Sequence, residues 1–349
     1  MGHCRYANEN LTMENLRVAL IGAGGIAQSY LDVVAAQRVD IDVVAVAEPD
    51  HERGAAAAAK ANARAFADVH ALLDARDTLG FEAVMICTPP MSHVPLSTIA
   101  LEHGLPVLCE KPLAPNRPGL CMMTDAAKKS GSMLMMASKF RYVDDVARTK
   151  VLIDAGALGE IILFRNAFTS QVDMKNRWNS KRDISGGGVI IDNGTHSVDI
   201  ARYLLGPIRN VIATETRRVQ GLPVEETAQL LIRTDSNATG TIDLSWSLNT
   251  GSQWYVTVDG TEGSIRLGWQ TAEINTGKGW TVFGSGYDKQ AAFSRQLNDF
   301  ADAVRHGTVP IISQDDAQAS VAVVDAAYRS METGAWVRVV EERRTLERS

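Results

Sequence analysis

The chain has 349 residues, too many for one ordinary core, so two domains are expected. It is 45% hydrophobic and 22% charged, the balance of a globular protein rather than a disordered one. A formal net charge of −6, a pI near 5.7 and the lack of a basic run argue against a nucleic-acid surface, and no apolar stretch approaches the ~20 residues that span a bilayer.

The N-terminus, Met1–Asn15, is polar and carries neither an apolar core nor a twin-arginine pair, which reads as a flexible leader and not an export signal. The four cysteines, Cys4, Cys87, Cys109 and Cys121, form no C-x-x-C pair and no zinc spacing. Together these features point to a reduced, cytoplasmic protein.

Val18–Ile21 is a short apolar run that predicts a strand buried on both faces. It runs into Gly22-Ala23-Gly24-Gly25-Ile26-Ala27, a G-x-G-x-x-A dinucleotide fingerprint placed between a strand and a helix. Gly22 allows the tight turn, Gly24 lets backbone approach a pyrophosphate, and Ala27 lets the helix lie close on the strand. Gly25 and Ile26 open that helix, expected to run to Ala36, whose N-terminal amides and dipole face the phosphates. A second run, Val43–Ala47, ends in Glu48, a carboxylate placed to meet the adenosine ribose hydroxyls. It would repel a 2′-phosphate, which favours NAD over NADP, a preference that His51 and Arg53 soften.

Beyond Glu48, Gly54–Ala65 and Ala67–Leu79 read as helices, and Phe81–Cys87 as a buried strand stopped by Thr88-Pro89-Pro90. Helix Val94–His103, strand Pro106–Cys109, helix Gly119–Lys129 and strand Met133–Ala137 complete the alternation of a doubly wound parallel sheet. Ligands of such sheets sit beyond the carboxyl ends of the strands, which singles out Thr88, Pro89, Pro90, His93, Glu110 and Lys111. Arg141 and Tyr142, after the last of these strands, are further candidates at the domain junction.

From Ile161 the pattern changes. Ile161–Thr169, Asn210–Val219, Thr227–Thr234, Thr239–Leu248, Trp254–Asp259, Ser264–Trp269 and Trp280–Phe283 are strand-like and joined by short turns, predicting a large, mostly antiparallel sheet. Helices are expected at Val189–Leu205, Ala291–His306 and Gln314–Thr333, with a last strand at Ala335–Val340.

The chemistry concentrates in three residues. Lys111, in Glu110-Lys111-Pro112, should overhang the nicotinamide end of the cleft, although a lone lysine past a strand is otherwise a solvated charge. Asp192 and His196 lie four apart in the helix after Gly186-Gly187-Gly188 and so share a face, with Asp199 near enough to orient the imidazole. That helix is apolar and therefore buried, and a buried Asp and His need partners. A metal is the rival explanation, but no third ligand stands at sensible spacing. The segment Phe168–Asp183 reads as a loop that closes on substrate, with Trp178 as an apolar platform for a sugar face and Arg182 for hydroxyls or a carboxylate.

These motifs resemble the glucose–fructose oxidoreductase / inositol dehydrogenase / MocA (Gfo/Idh/MocA) family of NAD(P)-dependent oxidoreductases, over nearly the whole chain from Leu16 to about Val340. The resemblance is carried by Gly22–Ala27, Thr88-Pro89-Pro90 with His93, Glu110-Lys111-Pro112, the Gly186–Gly206 block, and the tail around Phe293–His306 and Asp325–Tyr328. It implies a Rossmann domain, residues 16–140, followed by an α/β domain, residues 141–349, with a large open sheet for substrate binding and assembly into dimers or tetramers. It also implies Lys111, Asp192 and His196 as the catalytic set, with Glu110 and Lys111 near the nicotinamide ribose. Pro90 departs from the family, where many members carry a polar residue, and this bears on cofactor contacts rather than reaction class.

Hydride transfer from a secondary alcohol needs a group to accept the hydroxyl proton and one to hold the developing negative charge. His196, with an ordinary pKa of about 6.5, suits the first role and Lys111 the second, though the assignment stays open between them. The expected function is an NAD-dependent dehydrogenase of a sugar, inositol or related cyclic polyol. The alternatives are an NAD-dependent glycoside hydrolase using transient hydride transfer and a non-catalytic NAD(H) sensor.

Overall fold

The structure, a computed structural model, describes residues 14–249 and 251–340, so all but the last two residues of the expected leader lie outside it. Six strands, β1 (Leu16–Ile21), β2 (Ile41–Ala47), β3 (Arg64–Phe66), β4 (Ala83–Ile86), β5 (Val107–Glu110) and β6 (Leu134–Ala137), form a parallel sheet in the order β3-β2-β1-β4-β5-β6. The central strands are covered on both faces, which is why Val84, Met85, Val107 and Leu108 all lie buried side by side. The strand order reverses between β1 and β4, which opens a crevice at their carboxyl ends.

The alanine-rich segment differs from its sequence expectation. Its helix starts early, at His51, because the Asp50 side chain caps the Arg53 amide, and it stops at Ala61 where Asn62 turns left-handed. β3 follows, taking Arg64 and Ala65 from the end of the expected helix together with Phe66, since three residues with no apolar run leave no periodic signal. Asp68 and Gly80 then bracket two short helices, Val69–Asp74 and Arg76–Leu79, in place of one.

Nine strands form the second sheet: β7 (Ile161–Thr169), β8 (Ile208–Glu215), β9 (Thr227–Thr234), β10 (Thr239–Ser245), β11 (Trp254–Gly260), β12 (Ser264–Gly268), β13 (Ala272–Asn275), β14 (Thr281–Gly284) and β15 (Val337–Arg338). Their order is β14-β13-β12-β11-β7-β10-β9-β8-β15, antiparallel throughout except where β7 meets β10. Phe164, Asn166 and Phe168 of β7 point inward, while Leu163 and Arg165 face out. Helix Gln314–Thr333 packs on β8 and helix Thr195–Leu205 on β7, so one face is covered. Helix Asp144–Asp154 and strand β13 are additions that the sequence patterning did not bring out.

The expected helix Val189–Leu205 is interrupted. A π-turn spans Ile190–Gly194, and a regular helix runs from Thr195 to Leu205. No helix among the described residues is long and apolar enough to cross a membrane.

Candidate active site

The first wall is the glycine turn after β1. Gly22 sits at φ +91°, and a Cβ there would come within 2.7 Å of Thr88 Cγ2 and 2.8 Å of the Cys87 carbonyl, so only glycine lets β1 approach β4 this closely. Gly24 and Gly25 instead face open space, with nothing within 4 Å of an added Cβ, and helix Gly25–Ala35 points its N-terminus there. This cradle has room for a pyrophosphate against free helix amides, so the residues fit a dinucleotide. Glu48 lies beside it, 7% exposed, accepting from the Ala23 amide at 2.9 Å, the Asp50 amide at 3.1 Å and Arg53 Nη2 at 2.6 Å. Burial opposes its charge, but Arg53 and the two amides hold its pKa below the usual carboxylate range.

The second wall comes from the ends of β4, β5 and β6. Thr88 and Ile26 line the cleft, whereas Pro90 packs behind Lys111. His93 is not available to a cofactor. It is fully buried, with Nδ1 and Nε2 each 2.8 Å from a carbonyl oxygen, those of Pro112 and Thr88. It therefore clamps the Thr88-Pro89-Pro90 turn to the corner after Lys111. Glu110 accepts from the Tyr30 hydroxyl at 2.8 Å and the Lys111 amide at 3.1 Å, and Gln296 in turn donates to Tyr30 at 2.7 Å. Burial raises the Glu110 pKa against the pull of the Lys111 charge.

The third wall is the π-turn and the helix after it. Lys111 Nζ lies 2.9 Å from both Asp192 Oδ1 and the Asp192 carbonyl oxygen. His196 lines the same cleft and packs edge-on against Phe140, with ring centroids 5.0 Å apart. Burial, and then the Lys111 and Lys139 charges, push its pKa well below the ordinary value, so the imidazole is neutral. Its Nδ1 is buried with no hydrogen-bond partner among the described residues, which leaves Nε2 as the nitrogen open to the cleft. Glu225 sets this turn in place: its carboxylate accepts from the Gly188 and Ile190 amides at 2.9 and 3.2 Å and from the Tyr328 hydroxyl at 2.6 Å. A side chain on Gly187 would run into that hydroxyl, and one on Gly188 into the Glu225 carbonyl, which explains the glycine run.

Asp199 does not orient His196. Its carboxylate is taken by Arg141, at 2.7 Å from Nη2, and by the Ser138 hydroxyl at 2.6 Å. Arg141 is correspondingly not a substrate group: it is 3% exposed and also bonds Asp316 and the Ile311 carbonyl. Tyr142 turns away too, donating to Asp299 at 2.6 Å. Trp178 does line the cleft, 42% exposed, but Arg182 is exposed on the short helix Arg182–Ser185 outside it.

The cleft measures about 590 Å³ and brings in residues that sequence reasoning missed, above all Lys139, Asn193, Trp269 and Tyr287. The Lys139 ammonium lies 5.5–5.8 Å from the ring centroids of Phe293, Phe140 and Tyr287. Burial pulls its pKa down to about 8. The strand-end rule that singled out Arg141 and Tyr142 applies equally to Lys139, which stands nearer the end of β6. Among the described residues, no group of three or more His, Cys, Asp or Glu is placed to hold a metal ion.

Comparison with known proteins agrees with this geometry. Residues 16–138 match the family described as an oxidoreductase family with an NAD-binding Rossmann fold, and residues 146–266 match the GFO/IDH/MocA C-terminal domain. The chain is 31% identical over 267 residues to scyllo-inositol 2-dehydrogenase (NAD(+)) of Bacillus subtilis, covering 73% of this chain and 77% of that protein. It is 27% identical over 279 residues to D-apiose dehydrogenase of Rhizobium rhizogenes, covering 74% and 80%. In fold it is similar to levoglucosan dehydrogenase solved with NADH and levoglucosan, at a TM-score of 0.85 and 24% identity over 94% of this chain and all of that one. The Rossmann sheet, the glycine cradle and the lysine–aspartate–histidine cleft thus stand on a chain that belongs to the GFO/IDH/MocA family of NAD-binding oxidoreductases.

Proposed function

We propose that the protein is an NAD-dependent dehydrogenase that moves a hydride between a secondary alcohol of a sugar, inositol or related cyclic polyol and the nicotinamide. The observation that carries this reading is that Lys111, Asp192 and His196 line one cleft at the strand ends, beside a cradle shaped for a dinucleotide. The polyol substrates named for the relatives support the substrate class.

Gly22, Gly24, Gly25, Ile26, Ala27, Glu48, Thr88 and Glu110 form the cofactor side of the site. Bound NAD supplies the hydride acceptor. Lys111 directs its ammonium at the alcohol oxygen and stabilises negative charge there as the proton leaves. His196, neutral and open at Nε2, takes that proton. Asp192 holds Lys111 in place and accepts from a neighbouring substrate hydroxyl. Trp178 and Trp269 offer apolar faces for the ring of a polyol.

Residues 16–140 then serve the cofactor and residues 141–349 the substrate and assembly. The uncovered face of the nine-stranded sheet exposes Ile162 and Leu163 and carries Arg266 between Trp254 and Trp280, which supports a homodimer or homotetramer. Cys87, Cys109 and Cys121 are free thiols, which supports a cytoplasmic home.

The test is NADH fluorescence from the purified protein with NAD and a panel of inositols, aldoses and sugar acids. NADH formed from one class establishes the dehydrogenase. Silence across the panel with NAD bound rejects it in favour of a hydride-recycling glycosidase, shown by solvent deuterium entering a glycoside, or of an NAD sensor.

A further inference from the structure

We propose that Tyr30 is a positioning residue of the cofactor site: its hydroxyl, braced from behind by Gln296, holds the Glu110 carboxylate ionised and in place on the cofactor side of the cleft. The inference rests on the dehydrogenase reading and adds to it two residues that do not line the cleft. Tyr30 lies midway along helix Gly25–Ala35, whose N-terminus faces the glycine cradle, and is 1% exposed. Glu110 ends β5 at the cleft wall, and the fully buried Gln296 belongs to helix Lys289–His306 of the second domain. One line of hydrogen bonds joins the three elements. Gln296 Nε2 donates to the Tyr30 hydroxyl at 2.7 Å, and that hydroxyl donates to Glu110 Oε1 at 2.8 Å. Glu110 Oε2 takes the Lys111 amide at 3.1 Å, so both carboxylate oxygens are fixed.

The direction of the line follows from charge. An ionised carboxylate only accepts, so the Tyr30 proton goes to Glu110 and the Tyr30 oxygen is left to accept from Gln296. Among the described residues Gln296 Oε1 has no partner, so this side chain makes no hydrogen bond but the one to Tyr30. Burial works against the Glu110 charge, and the Lys111 ammonium, the Tyr30 hydroxyl and the Lys139 ammonium work for it. The other groups that face Glu110 are the Cys87 and Cys109 thiols and the Tyr287 hydroxyl, all kept neutral by burial. The Lys111 ammonium is shared with Asp192, whereas the Tyr30 hydroxyl serves Glu110 alone. Once protonated, Glu110 loses acceptor capacity for a ribose hydroxyl, so the Tyr30 contact sets the pH range in which the cofactor side of the cleft is ready.

The experiment measures NAD affinity, by quenching of protein fluorescence, from pH 5 to 8.5 in the wild type, Tyr30→Phe, Gln296→Leu and Glu110→Gln. Tyr30→Phe removes only the hydroxyl and keeps the ring against Phe293, their centroids 4.7 Å apart. The wild type is expected to lose affinity as pH falls and Glu110 takes a proton. In Tyr30→Phe the midpoint of that loss moves up by about one pH unit, the scale of one hydrogen bond to a charged group. Gln296→Leu moves it the same way by less, and Glu110→Gln binds NAD more weakly with no such midpoint. A flat wild-type profile, an unmoved midpoint in Tyr30→Phe with affinity lowered equally at every pH, or a midpoint that survives in Glu110→Gln overturns the inference while the dehydrogenase stands. A wild type that binds no NAD at any pH overturns both.

Discussion

Two cation–aspartate pairs tie the parallel sheet to one helical segment, and they differ chiefly in access. Arg141 and Asp199, 2.7 Å apart, are 3% and 0% exposed, and Ser138, Asp316 and the Ile311 carbonyl complete their bonding. Lys111 and Asp192, 2.9 Å apart, are 15% and 25% exposed and open on the cleft. The closed pair has its donors and acceptors spent within the protein, so it works as a joint between β6 and the helix. The open pair keeps ammonium hydrogens and carboxylate lone pairs for a substrate. Access, not residue type, separates the structural pair from the chemical one.

Breaking each pair sharpens that contrast. Asp199→Ala takes away the bidentate partner of the Arg141 guanidinium, leaving it Asp316 and the Ile311 carbonyl, and is expected to cost about 2–4 kcal/mol, read from the urea midpoint and slope; a loss under about 1 kcal/mol would contradict the joint. Asp192→Asn in the open pair is expected to change stability by about 1 kcal/mol or less while turnover drops roughly a hundredfold. Equal stability losses in the two variants would erase the distinction. The smallest effect concerns pH. The folded state holds the His196 pKa below its unfolded value of about 6.5, so the unfolded chain binds more protons below that pH. Its contribution to stability is therefore full above pH 6.5 and is lost as pH falls, and His196→Gln should flatten the fall between pH 7 and 5.5. An unchanged slope would mean that the imidazole is charged in the fold.

The cofactor half was legible in the sequence because its signals are local. A strand, a glycine turn and a helix are contiguous, and the rule that ligands lie past strand ends pointed at Thr88, Glu110 and Lys111 without any tertiary knowledge. Asp192 and His196 were paired by helical spacing, and the cleft does receive both, although through a π-turn that no spacing argument foresees. What escaped was side-chain direction in the turns. Lys139 and Arg141 follow the same strand, yet one points into the cleft and the other into Asp199. His93 looked like a ligand, but its nitrogens face the carbonyls of the neighbouring Thr88 turn and of Pro112. β3 was hidden because three residues beside an alanine helix carry no period of their own.

The most direct measurement is turnover and NAD affinity, side by side, in Lys111→Ala. The open pair predicts that NAD still binds within about twofold while kcat falls by roughly 10²–10³, the size of one lost electrostatic contact to a developing oxyanion. Turnover at the wild-type level with NAD bound would remove Lys111, and with it the open pair, from the chemistry.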